Sequence, residues 1–356
     1  MLHFPGPEQA GETSMKIGDA AVFRRFWYVA MPMARLAEGP QPFSLFGEEM
    51  VLWQAADGTV SALEDSCCHR SARLSLGELR GAALACPYHG WEFNAAGQCT
   101  LIPQRPEVAP PASARVKAYH VALRYGFVWV AVEDPLIPIP ALPEAEDAGY
   151  RIIQEFHEPW DMSLFRLVDN WFDLAHVAFV HRGTQGDISQ PVPPPEEIEE
   201  FDFGLVSRAV VPIANRSEGK SYTGIDSDTT VRRRTATWWA PNCRKLHITY
   251  PNGLQHIIFT TATPLGDKRI LFTQFCIRND SEADIPAAAA IAFDRRVTTE
   301  DKIILEATRA DVPIMPGEKP EQGMPQDRAG NLARRKLRAI VETHSAPASV
   351  PEPATA

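Results

Sequence analysis

Two short motifs, each combining one cysteine with one histidine, constrain this chain more than any other feature. Cys67-x-His69 lies in CCHRSARL, and Cys86-x-x-His89 in CPYHGW follows His69 after a spacer of sixteen residues. Each motif can present two ligands from one loop, and the glycine-containing spacer can bring the two loops together. Thiolates and imidazoles are ligands that suit iron–sulfur clusters or zinc. The four residues therefore predict one metal site built from two adjacent loops.

The mixed pairing of the ligands distinguishes two kinds of metal site. Structural zinc sites also accept two cysteines and two histidines, but their usual motif places both cysteines first and both histidines after them. In a Rieske [2Fe–2S] centre, one iron takes two cysteines and the other takes two histidines. Here each loop offers one ligand to each iron, so the spacing favours a Rieske cluster over zinc. Cys68 competes with its neighbour, and the Cys-x-His spacing selects Cys67.

A second candidate metal site lies in LVDNWFDLAHVAFVHRGT. Asn170, Asp173 and His176 are three residues apart in turn, so they share one side of a predicted helix, and His181 returns to the azimuth of Asn170. If both histidines bind one ion, the helix must distort or end near His181, with Gly183 as a plausible stop. Two imidazoles, a carboxylate and open positions form the ligand set of non-haem Fe(II) oxygenases. Core packing would explain these histidines alone, but beside a Rieske motif we favour iron.

The carboxylate must come from another segment, and a helix predicted after Pro286 offers two candidates. The apolar stripe of this helix is predicted to comprise Val297, Ile304, Leu305 and Thr308. Asp301 falls inside the stripe, where a charge is costly unless it is paired or bound to metal. Asp294 lies seven residues earlier on nearly the same face, so spacing does not separate the two. Glu300 points about a quarter turn away. A solvated, charge-rich helix is the alternative interpretation.

Together these residues resemble the oxygenase component of the Rieske non-haem iron oxygenases. The resemblance extends from Phe26-Trp27-Tyr28 to about residue 340. The segments CPYHGWEFNAAGQC, LIPQRP and GTQGD are similar to one subgroup, which contains methylxanthine N-demethylases, dicamba and vanillate O-demethylases and saxitoxin-pathway hydroxylases. The resemblance implies an α+β fold, with a Rieske β domain beside a helix-grip catalytic domain of antiparallel sheet and helices.

The resemblance also implies a role for each site residue. The [2Fe–2S] ligands would be Cys67, His69, Cys86 and His89. The Fe²⁺ ligands would be His176, His181 and Asp301. Asp301 is preferred to Asp294 because the third ligand of the family lies in a Glu-Asp-Lys stretch, and this choice is inherited from the family. Asp173 matches an aspartate that links a cluster histidine, here His89, to an iron ligand, here His176, across subunits of a homotrimer. Asn170 resembles a residue near the iron that could hold a water molecule.

The activity implied by the resemblance is that of a terminal oxygenase. It would use O2 and electrons from a reductase or ferredoxin, drawn from NAD(P)H, to hydroxylate a small aromatic or heterocyclic molecule. Oxidative N- or O-demethylation with release of formaldehyde is our first expectation. Ring or aliphatic C–H hydroxylation, including arene cis-dihydroxylation, is the alternative, because the iron site is shared. A Rieske-type electron carrier without catalytic iron is the rival from another class, although a carrier does not need the second metal site.

The order of motifs and connectors divides the chain into four parts. We expect an N-terminal segment that packs on the catalytic domain (residues 1–41), a Rieske domain (42–140), a catalytic domain (141–345) and a disordered tail (346–356). Alternating apolar runs such as LHITYPNG and ILFTQFCIRN predict antiparallel hairpins in the catalytic domain. Outside the metal motifs, Cys99, Cys243 and Cys276 are interpreted as small buried hydrophobic residues.

Charge and hydropathy limit the partners and the location. The formal net charge of −10 would repel a phosphate backbone, so we expect no nucleic-acid partner. The run Arg232-Arg233-Arg234 is interpreted as a solvated strand edge, with docking of an acidic electron carrier as the lesser alternative. The sequence contains neither an eighteen-residue apolar run nor a secretory signal pattern, so we expect a cytoplasmic protein with no membrane partner.

Overall fold

The computed structural model of the protein describes residues 15–309, 311–315, 318 and 321–344. The predicted disordered tail (346–356) and the first fourteen residues of the N-terminal segment lie outside the described residues. Among the residues that are described, no helix is both long enough and apolar enough to cross a lipid bilayer.

The first part of the chain forms three small antiparallel sheets, with strand orders β2-β3-β4, β5-β6-β7-β8 and β1-β10-β9. The strands are β1 (Tyr28–Pro32), β2 (Gln41–Leu45), β3 (Glu48–Gln54), β4 (Val60–Glu64), β5 (Glu78–Arg80), β6 (Ala83–Ala85), β7 (Glu92–Phe93), β8 (Cys99–Leu101), β9 (His120–Arg124) and β10 (Phe127–Ala131). Strand β1 comes from the N-terminal segment and pairs with β10. This segment therefore supplies a strand to the first part of the chain.

Strand β3 separates two apolar cores. Its alternate residues Met50 and Leu52 belong to the large core shared with the second part of the chain. Val51 and Trp53 point to the other face and pack in a smaller core with Leu63, Leu74, Leu84 and Phe93. Because side chains alternate along a strand, β3 can be buried on both faces. The smaller core lies beneath the two loops that carry the cysteine–histidine motifs.

The second part of the chain is built on one seven-stranded antiparallel sheet, with the order β11-β17-β16-β15-β14-β13-β12. Its strands are β11 (Arg151–Trp160), β12 (Glu197–Phe201), β13 (Gly204–Ala214), β14 (Thr229–Trp239), β15 (Cys243–Thr249), β16 (Gln255–Gly266) and β17 (Arg269–Arg278). The alternating runs that were predicted to form hairpins correspond to β15, β16 and β17, which pair in sequence order. Every strand pair of this sheet is antiparallel, and helices lie between and after its strands, as in an α+β protein.

In the described part of the chain, five α-helices accompany the large sheet: α1 (Leu164–Phe172), α2 (Val177–Val180), α3 (Ser217–Thr223), α4 (Ala287–Glu306) and α5 (Arg328–His344). Helix α1 begins at Ser163, whose side chain accepts a hydrogen bond from the Arg166 N–H, and α1 packs against α5 in the large core. Helix α4 starts directly after Pro286, as predicted.

The buried face of α4 differs from the predicted stripe. Leu305 is buried, but Ile304 is 49% exposed and Thr308 is exposed. The residues of α4 that are buried are Ala290, Asp294, Thr298 and Leu305. They form the face that meets β11 and α2. The prediction was right for Leu305 and wrong for Ile304 and Thr308, because apolar side chains alone do not reveal which face of the helix meets the sheet.

The position of β14 corrects the interpretation of the arginine run. β14 is hydrogen-bonded to β13 on one side and to β15 on the other, so it is an interior strand and not an edge. Arg233 is exposed, whereas Arg234 is buried and Arg232 is half-buried. Successive side chains of a strand point to opposite faces, so Arg232 and Arg234 lie on one face of the sheet and Arg233 lies on the other.

Candidate metal centres and cavity

The two loops that carry the cysteine–histidine motifs have the same backbone hydrogen bonds. In each loop, the cysteine N–H donates to the carbonyl five residues later, and the cysteine carbonyl accepts from the N–H four residues later. That fourth residue, Ser71 in one loop and Gly90 in the other, has a positive φ, of 55° and 72° respectively. The repeated turn places one cysteine and one histidine on each loop, with the histidine two residues after Cys67 and three residues after Cys86.

The four predicted cluster ligands form two layers. Cys67 and Cys86 are buried beneath the loops, whereas His69 and His89 are half-buried above them, with ring centroids 4.6 Å apart. Burial, together with the neighbouring Cys86 thiol, raises the pKa of Cys67 to about 12, so a cationic partner is needed to hold it as a thiolate. His69 Nδ1 is buried and has no hydrogen-bond partner among the described residues. Cys68, the competing ligand, is exposed.

This arrangement fits a Rieske cluster. Two thiols lie close together on one side and two imidazoles on the other, which is the division of ligands that the cluster requires. A buried imidazole nitrogen without a partner is costly unless it ligates a metal. His69 also stacks on the Trp91 ring, with centroids 4.5 Å apart and planes 3° from parallel. This contact fixes the orientation of the His69 ring.

The second predicted set of ligands meets at one point. The Nε2 atoms of His176 and His181 are 3.2 Å apart, and Asp301 Oδ1 is 3.4 Å from each of them. Atoms that bind one ion at about 2.0–2.2 Å lie roughly 3 Å from one another, so the three atoms fit a single metal ion. His181 is buried, and His176 and Asp301 are half-buried. Two histidines and one carboxylate on one side leave other coordination positions open, which suits mononuclear iron.

The backbone around Asp173 explains how histidines five residues apart converge. Helix α1 ends at Phe172, before either histidine, and Asp173 adopts an extended conformation with φ −81° and ψ 122°. Asp173 Oδ1 then accepts hydrogen bonds from the N–H groups of Ala175 (2.6 Å) and His176 (3.3 Å). The chain restarts as α2, followed by a 3-10 turn at His181–Gly183. The expected single helix is therefore broken at Asp173.

Two side chains that contact the ligands complete this site. Glu300 Oε2 lies 3.0 Å from His181 Nδ1 and accepts a hydrogen bond from the Thr184 hydroxyl at 2.8 Å. Burial opposes ionisation of Glu300, but these contacts outweigh it and lower its pKa. Asn170 Nδ2 donates to Asp301 Oδ1 at 3.3 Å. Helical spacing predicted that Glu300 points away from the site, but its partner His181 comes from a segment distant in sequence.

Asp294, the alternative third ligand, belongs to a different cluster. It lies 3.3 Å from His256 Nε2 and accepts a hydrogen bond from the Tyr222 hydroxyl at 3.2 Å. Burial beside Asp294 raises the pKa of Glu155, and His256 holds the pKa of Asp294 low, so Asp294 is the ionised member of the pair. The Arg278 guanidinium donates to His256 Nδ1 at 2.9 Å. The positively charged Arg278 already lies in this cluster, so the binding of a metal cation there is disfavoured.

A cavity of about 120 Å³ lies against the three proposed iron ligands. Its apolar wall includes Trp160, Trp171, Leu246, Ile248, Phe272, Phe293 and Val297. An apolar cavity of roughly 150 Å³ can hold a benzene molecule, so this space is of the size of one small ring. Residues of α1, α2 and α4 line part of the cavity, and residues on strands of the large sheet line much of the rest. Arg232, Arg234 and Arg244 also line it.

Comparisons with known families agree with both metal centres. The Rieske [2Fe-2S] domain family matches residues 26–119. The vanillate O-demethylase oxygenase C-terminal domain family matches residues 160–343, which is more than half of the chain. The matched ranges contain the cysteine–histidine motifs and the two histidines with Asp301, respectively.

Individual proteins show the same relationship. Methylxanthine N1-demethylase NdmA of Pseudomonas putida is 28% identical over 336 residues, which cover 90% of each chain. The oxygenase component of dicamba O-demethylase from Stenotrophomonas maltophilia is 38% identical over 163 residues, covering 45% of this chain and 48% of that protein. The structure of Pseudomonas putida NdmA with caffeine superposes with a TM-score of 0.77 at 27% identity, covering 91% of this chain and 92% of the other. These matches confirm the predicted family and α+β fold class.

Proposed function

This chain belongs to the Rieske oxygenases with a vanillate O-demethylase-type C-terminal domain, and we propose that it oxidatively removes an N- or O-bound methyl group from a small aromatic or heterocyclic molecule, releasing formaldehyde. The observation that carries the proposal is the convergence of His176, His181 and Asp301 on the wall of a cavity the size of one ring. Relatives that are N- and O-demethylases support the choice of reaction.

Proteins of this family are oxidoreductases. They hold a Rieske [2Fe–2S] cluster, which accepts single electrons, and a mononuclear iron, at which O2 is activated. The oxygenase components of the family obtain their electrons from a reductase or ferredoxin, and NAD(P)H is the usual source. This chain is therefore the terminal component of an electron-transfer system.

The residues that would hold the two groups follow from the geometry. We assign the cluster to Cys67, His69, Cys86 and His89. We assign the mononuclear iron to His176, His181 and Asp301. The division into a Rieske domain (42–140) and a catalytic domain (141–345) remains our proposal, and it keeps each ligand set within one part of the chain. Strand β1, from the N-terminal segment (1–41), joins the sheet of β9 and β10.

The chain's own side chains position the ligands and exclude water. Glu300 fixes the His181 ring through Nδ1, which leaves Nε2 directed at the common point. Asn170 holds the Asp301 carboxylate by donating a hydrogen bond to Oδ1, the oxygen that also faces the two histidines. Such outer contacts set the tautomer of a histidine ligand and the orientation of a carboxylate. The aromatic and aliphatic wall of the cavity keeps the reacting methyl group in an environment from which bulk water is excluded.

Asp173 has a further proposed role between copies of the chain. Its side chain is 42% exposed, and its Oδ2 lies 3.6 Å from His176 Nδ1, a buried atom with no closer partner among the described residues. Because His89 lies near the surface, we propose that Asp173 of one copy contacts His89 of the next in a homotrimer. An aspartate that bridges two imidazoles would shorten the path between the metal centres.

We also propose that the protein acts in the cytoplasm. The six cysteines are all free thiols: two are assigned to the cluster, three others are buried and Cys68 is exposed. A reducing compartment preserves such thiols. Fractionation of the native host with antibody detection would test the location.

The proposed reaction is tested by metal analysis followed by product analysis. Anaerobically purified protein should contain about three irons and two acid-labile sulfides per chain, with a Rieske-type EPR signal after reduction. The protein is then supplied with a reductase, NAD(P)H and a panel of N-methyl and O-methyl aromatic compounds. Formaldehyde should appear in a one-to-one ratio with the demethylated product.

Three results would lead elsewhere. A hydroxylated ring or aliphatic carbon without formaldehyde would assign the enzyme to hydroxylation instead of demethylation. About two irons and no oxygenation after addition of Fe(II) would indicate an electron carrier. Zinc without sulfide would contradict the assignment of Cys67, His69, Cys86 and His89 to a Rieske cluster.

A further inference from the structure

Three arginines line the cavity beside the proposed iron ligands. Arg232 and Arg234 lie on β14, and Arg244 lies on the neighbouring β15. Arg234 is directly opposite Ile248 across the two strands, and Ile248 is part of the cavity wall. The arginines therefore line the same cavity as His176, His181 and Asp301, from the sheet side.

These guanidinium groups lack the partners that buried arginines normally have. Arg234 is only 8% exposed, and its Nε and Nη2 atoms have no hydrogen-bond partner among the residues that the structure describes. The same residues offer no hydrogen-bond partner to the buried Nε atoms of Arg232 and Arg244. Within the described part of the chain, none of the three forms an ion pair with a carboxylate. Arg232 donates to the neutral Gln185 side chain at 2.5 Å, and Arg244 lies over the Trp171 ring, 5.3 Å from its centroid.

The same sheet contains a buried arginine that serves the fold, and it is fully paired. Arg278 is completely buried, forms an ion pair with Asp280, and donates to the Tyr222 carbonyl and to His256. A buried charge without such partners is destabilising, so its retention requires a ligand or another function. The contrast with Arg278 indicates that the three cavity arginines await an anionic partner from outside the chain.

The electrostatics of the cavity agree with this interpretation. Burial lowers the pKa of Arg234 to about 10 and that of Arg244 to about 9, and repulsion from neighbouring arginines contributes to both shifts. Both of these pKa values lie above 7, so Arg234 and Arg244 still carry a positive charge near pH 7. Two carboxylates oppose these shifts: Asp301, a proposed metal ligand, acts on Arg244, and Glu196 acts on Arg234. Glu196 forms no ion pair with Arg234 within the described residues, and its carboxylate accepts a hydrogen bond from the Ser207 hydroxyl at 2.6 Å. Strands β14 and β15 thus bring three positive charges to a cavity whose other lining residues include Asp173, Asp294 and Asp301.

We propose that the substrate of this enzyme carries a carboxylate, which binds to Arg232, Arg234 and Arg244 while its ring lies against the apolar wall toward His176 and His181. Guanidinium groups bind planar carboxylates through two parallel hydrogen bonds, so they fix orientation as well as supply affinity. This inference rests on the proposed function and adds a substrate class to it: small methylated aromatic acids. A neutral methylated heterocycle would leave the three charges unpaired.

The test measures binding and turnover with matched pairs of ligands. Isothermal titration calorimetry on the intact holoenzyme, in low-chloride buffer, would compare 2-, 3- and 4-methoxybenzoate with the three corresponding methoxybenzamides. At least one carboxylate should bind ten-fold or more tightly than its amide, because charged hydrogen bonds exceed neutral ones in strength. The methoxybenzenesulfonates, which are anionic but not planar at the charged group, should bind more weakly than the carboxylates.

Substitutions locate the binding to the cavity. Arg234→Gln should weaken binding of the preferred carboxylate about ten-fold or more and leave the affinity for its amide unchanged. Arg233→Gln, on the same strand but exposed, is the matched control and should bind like the wild type. Circular dichroism and iron content establish that each variant is folded and loaded, and Arg244→Gln replaces Arg234→Gln if the latter fails to fold.

The outcomes separate this inference from the proposed reaction. Equal affinity for every carboxylate and its amide, or unchanged carboxylate binding by both arginine variants, would overturn the anion site. Carboxylate binding that depends on Arg234 without any formaldehyde would retain the anion site and count against demethylation. Formaldehyde from an amide as efficiently as from its carboxylate would support demethylation and overturn the anion site.

Discussion

The Glu300 carboxylate lies 3.0 Å from Nδ1 of His181, on the side of the ring away from the Nε2 atom that faces Asp301. Adjacent residues of one helix thus contact the two nitrogens of the same imidazole. The Glu300 carboxylate accepts a hydrogen bond from Nδ1 and so places the proton of the ring on that nitrogen. Nε2 is then left without a proton, and it faces the same proposed metal position as Asp301 Oδ1. The pairing also ties α4 to the 3-10 turn that follows α2.

Glu300→Gln should weaken the iron site without removing it. Loss of an outer carboxylate that orients a histidine ligand typically lowers metal affinity roughly 10- to 100-fold. Titration of Fe(II) into apoprotein that retains its cluster would measure this change. Glu306→Gln, at the end of the same helix and distant from the ligands, is the control. An unchanged affinity in Glu300→Gln would show that the contact with His181 has no effect on metal binding.

Substitution of the two aspartates of α4 should have opposite consequences. Asp301→Asn should reduce the iron content from about three to about two atoms per chain and leave about two sulfides. Asp294→Asn should retain all the iron but destabilise the fold by about 1–3 kcal/mol, because it disturbs a buried cluster with His256 and Tyr222. Metal analysis and thermal melts measure both. Loss of iron in the Asp294 variant alone would reverse the assignment of the third ligand.

The adjacent cysteines provide a direct test of the cluster ligands. Cys67→Ser should abolish the Rieske EPR signal, because the buried Cys67 is the proposed ligand. Cys68→Ser should preserve the signal and the sulfide content, because this side chain is exposed. A signal that survives in the Cys67 variant and disappears in the Cys68 variant would exchange the two roles.

Asp173→Asn should separate the structural role of Asp173 from its charge. Asparagine can still accept the hydrogen bonds from Ala175 and His176, so the loop and both metal contents should be preserved. The variant lacks the negative charge that would bridge two imidazoles, so steady-state formaldehyde production should fall at least 100-fold. Normal turnover in a fully loaded variant would disprove the proposed path through Asp173.

His157 should contribute to the dependence of stability on pH. Burial lowers its pKa to about 4, whereas an unfolded histidine has a pKa of about 6.5. The unfolded state therefore binds more protons between these values, so the stability contributed by neutral His157 is present above pH 6.5 and is lost as the pH falls toward 4. Melting temperatures measured from pH 7.5 to 5 should fall less steeply for His157→Gln than for the wild type. Parallel curves would contradict the prediction.

Local sequence was sufficient to predict the residues that converge from short segments. Cys67 with His69, and Cys86 with His89, lie within single turns, and their spacing encodes the geometry of each loop. His176 and His181 are similarly close in sequence, although the break at Asp173 was not foreseen. The extended conformation of Asp173 depends on hydrogen bonds from the next backbone N–H groups to its own side chain, and helical periodicity does not reveal such bonds.

Residues brought together by tertiary packing were harder to predict. Glu300 meets His181 across more than a hundred residues, and no local pattern links them. Asp294 and Asp301 share one face of α4 but meet different neighbours along its length, so only family resemblance separated them. The period of two along β14 does predict that Arg232 and Arg234 share a face, but not that β14 is interior. Helix α5 was overlooked, although Ala329, Ala333 and Leu337 recur at helical spacing.

The helices and the sheet contribute different kinds of residue to the cavity. Histidines and Asp301 approach from the helical side, whereas the arginines and much of the apolar wall lie on β14, β15 and their neighbours. A library that randomises only inward-facing strand positions would therefore leave every proposed metal ligand untouched. Directed evolution toward new methylated acids, or toward neutral compounds after replacement of the arginines, can therefore vary strand positions alone. The proposed iron ligands would stay unchanged throughout.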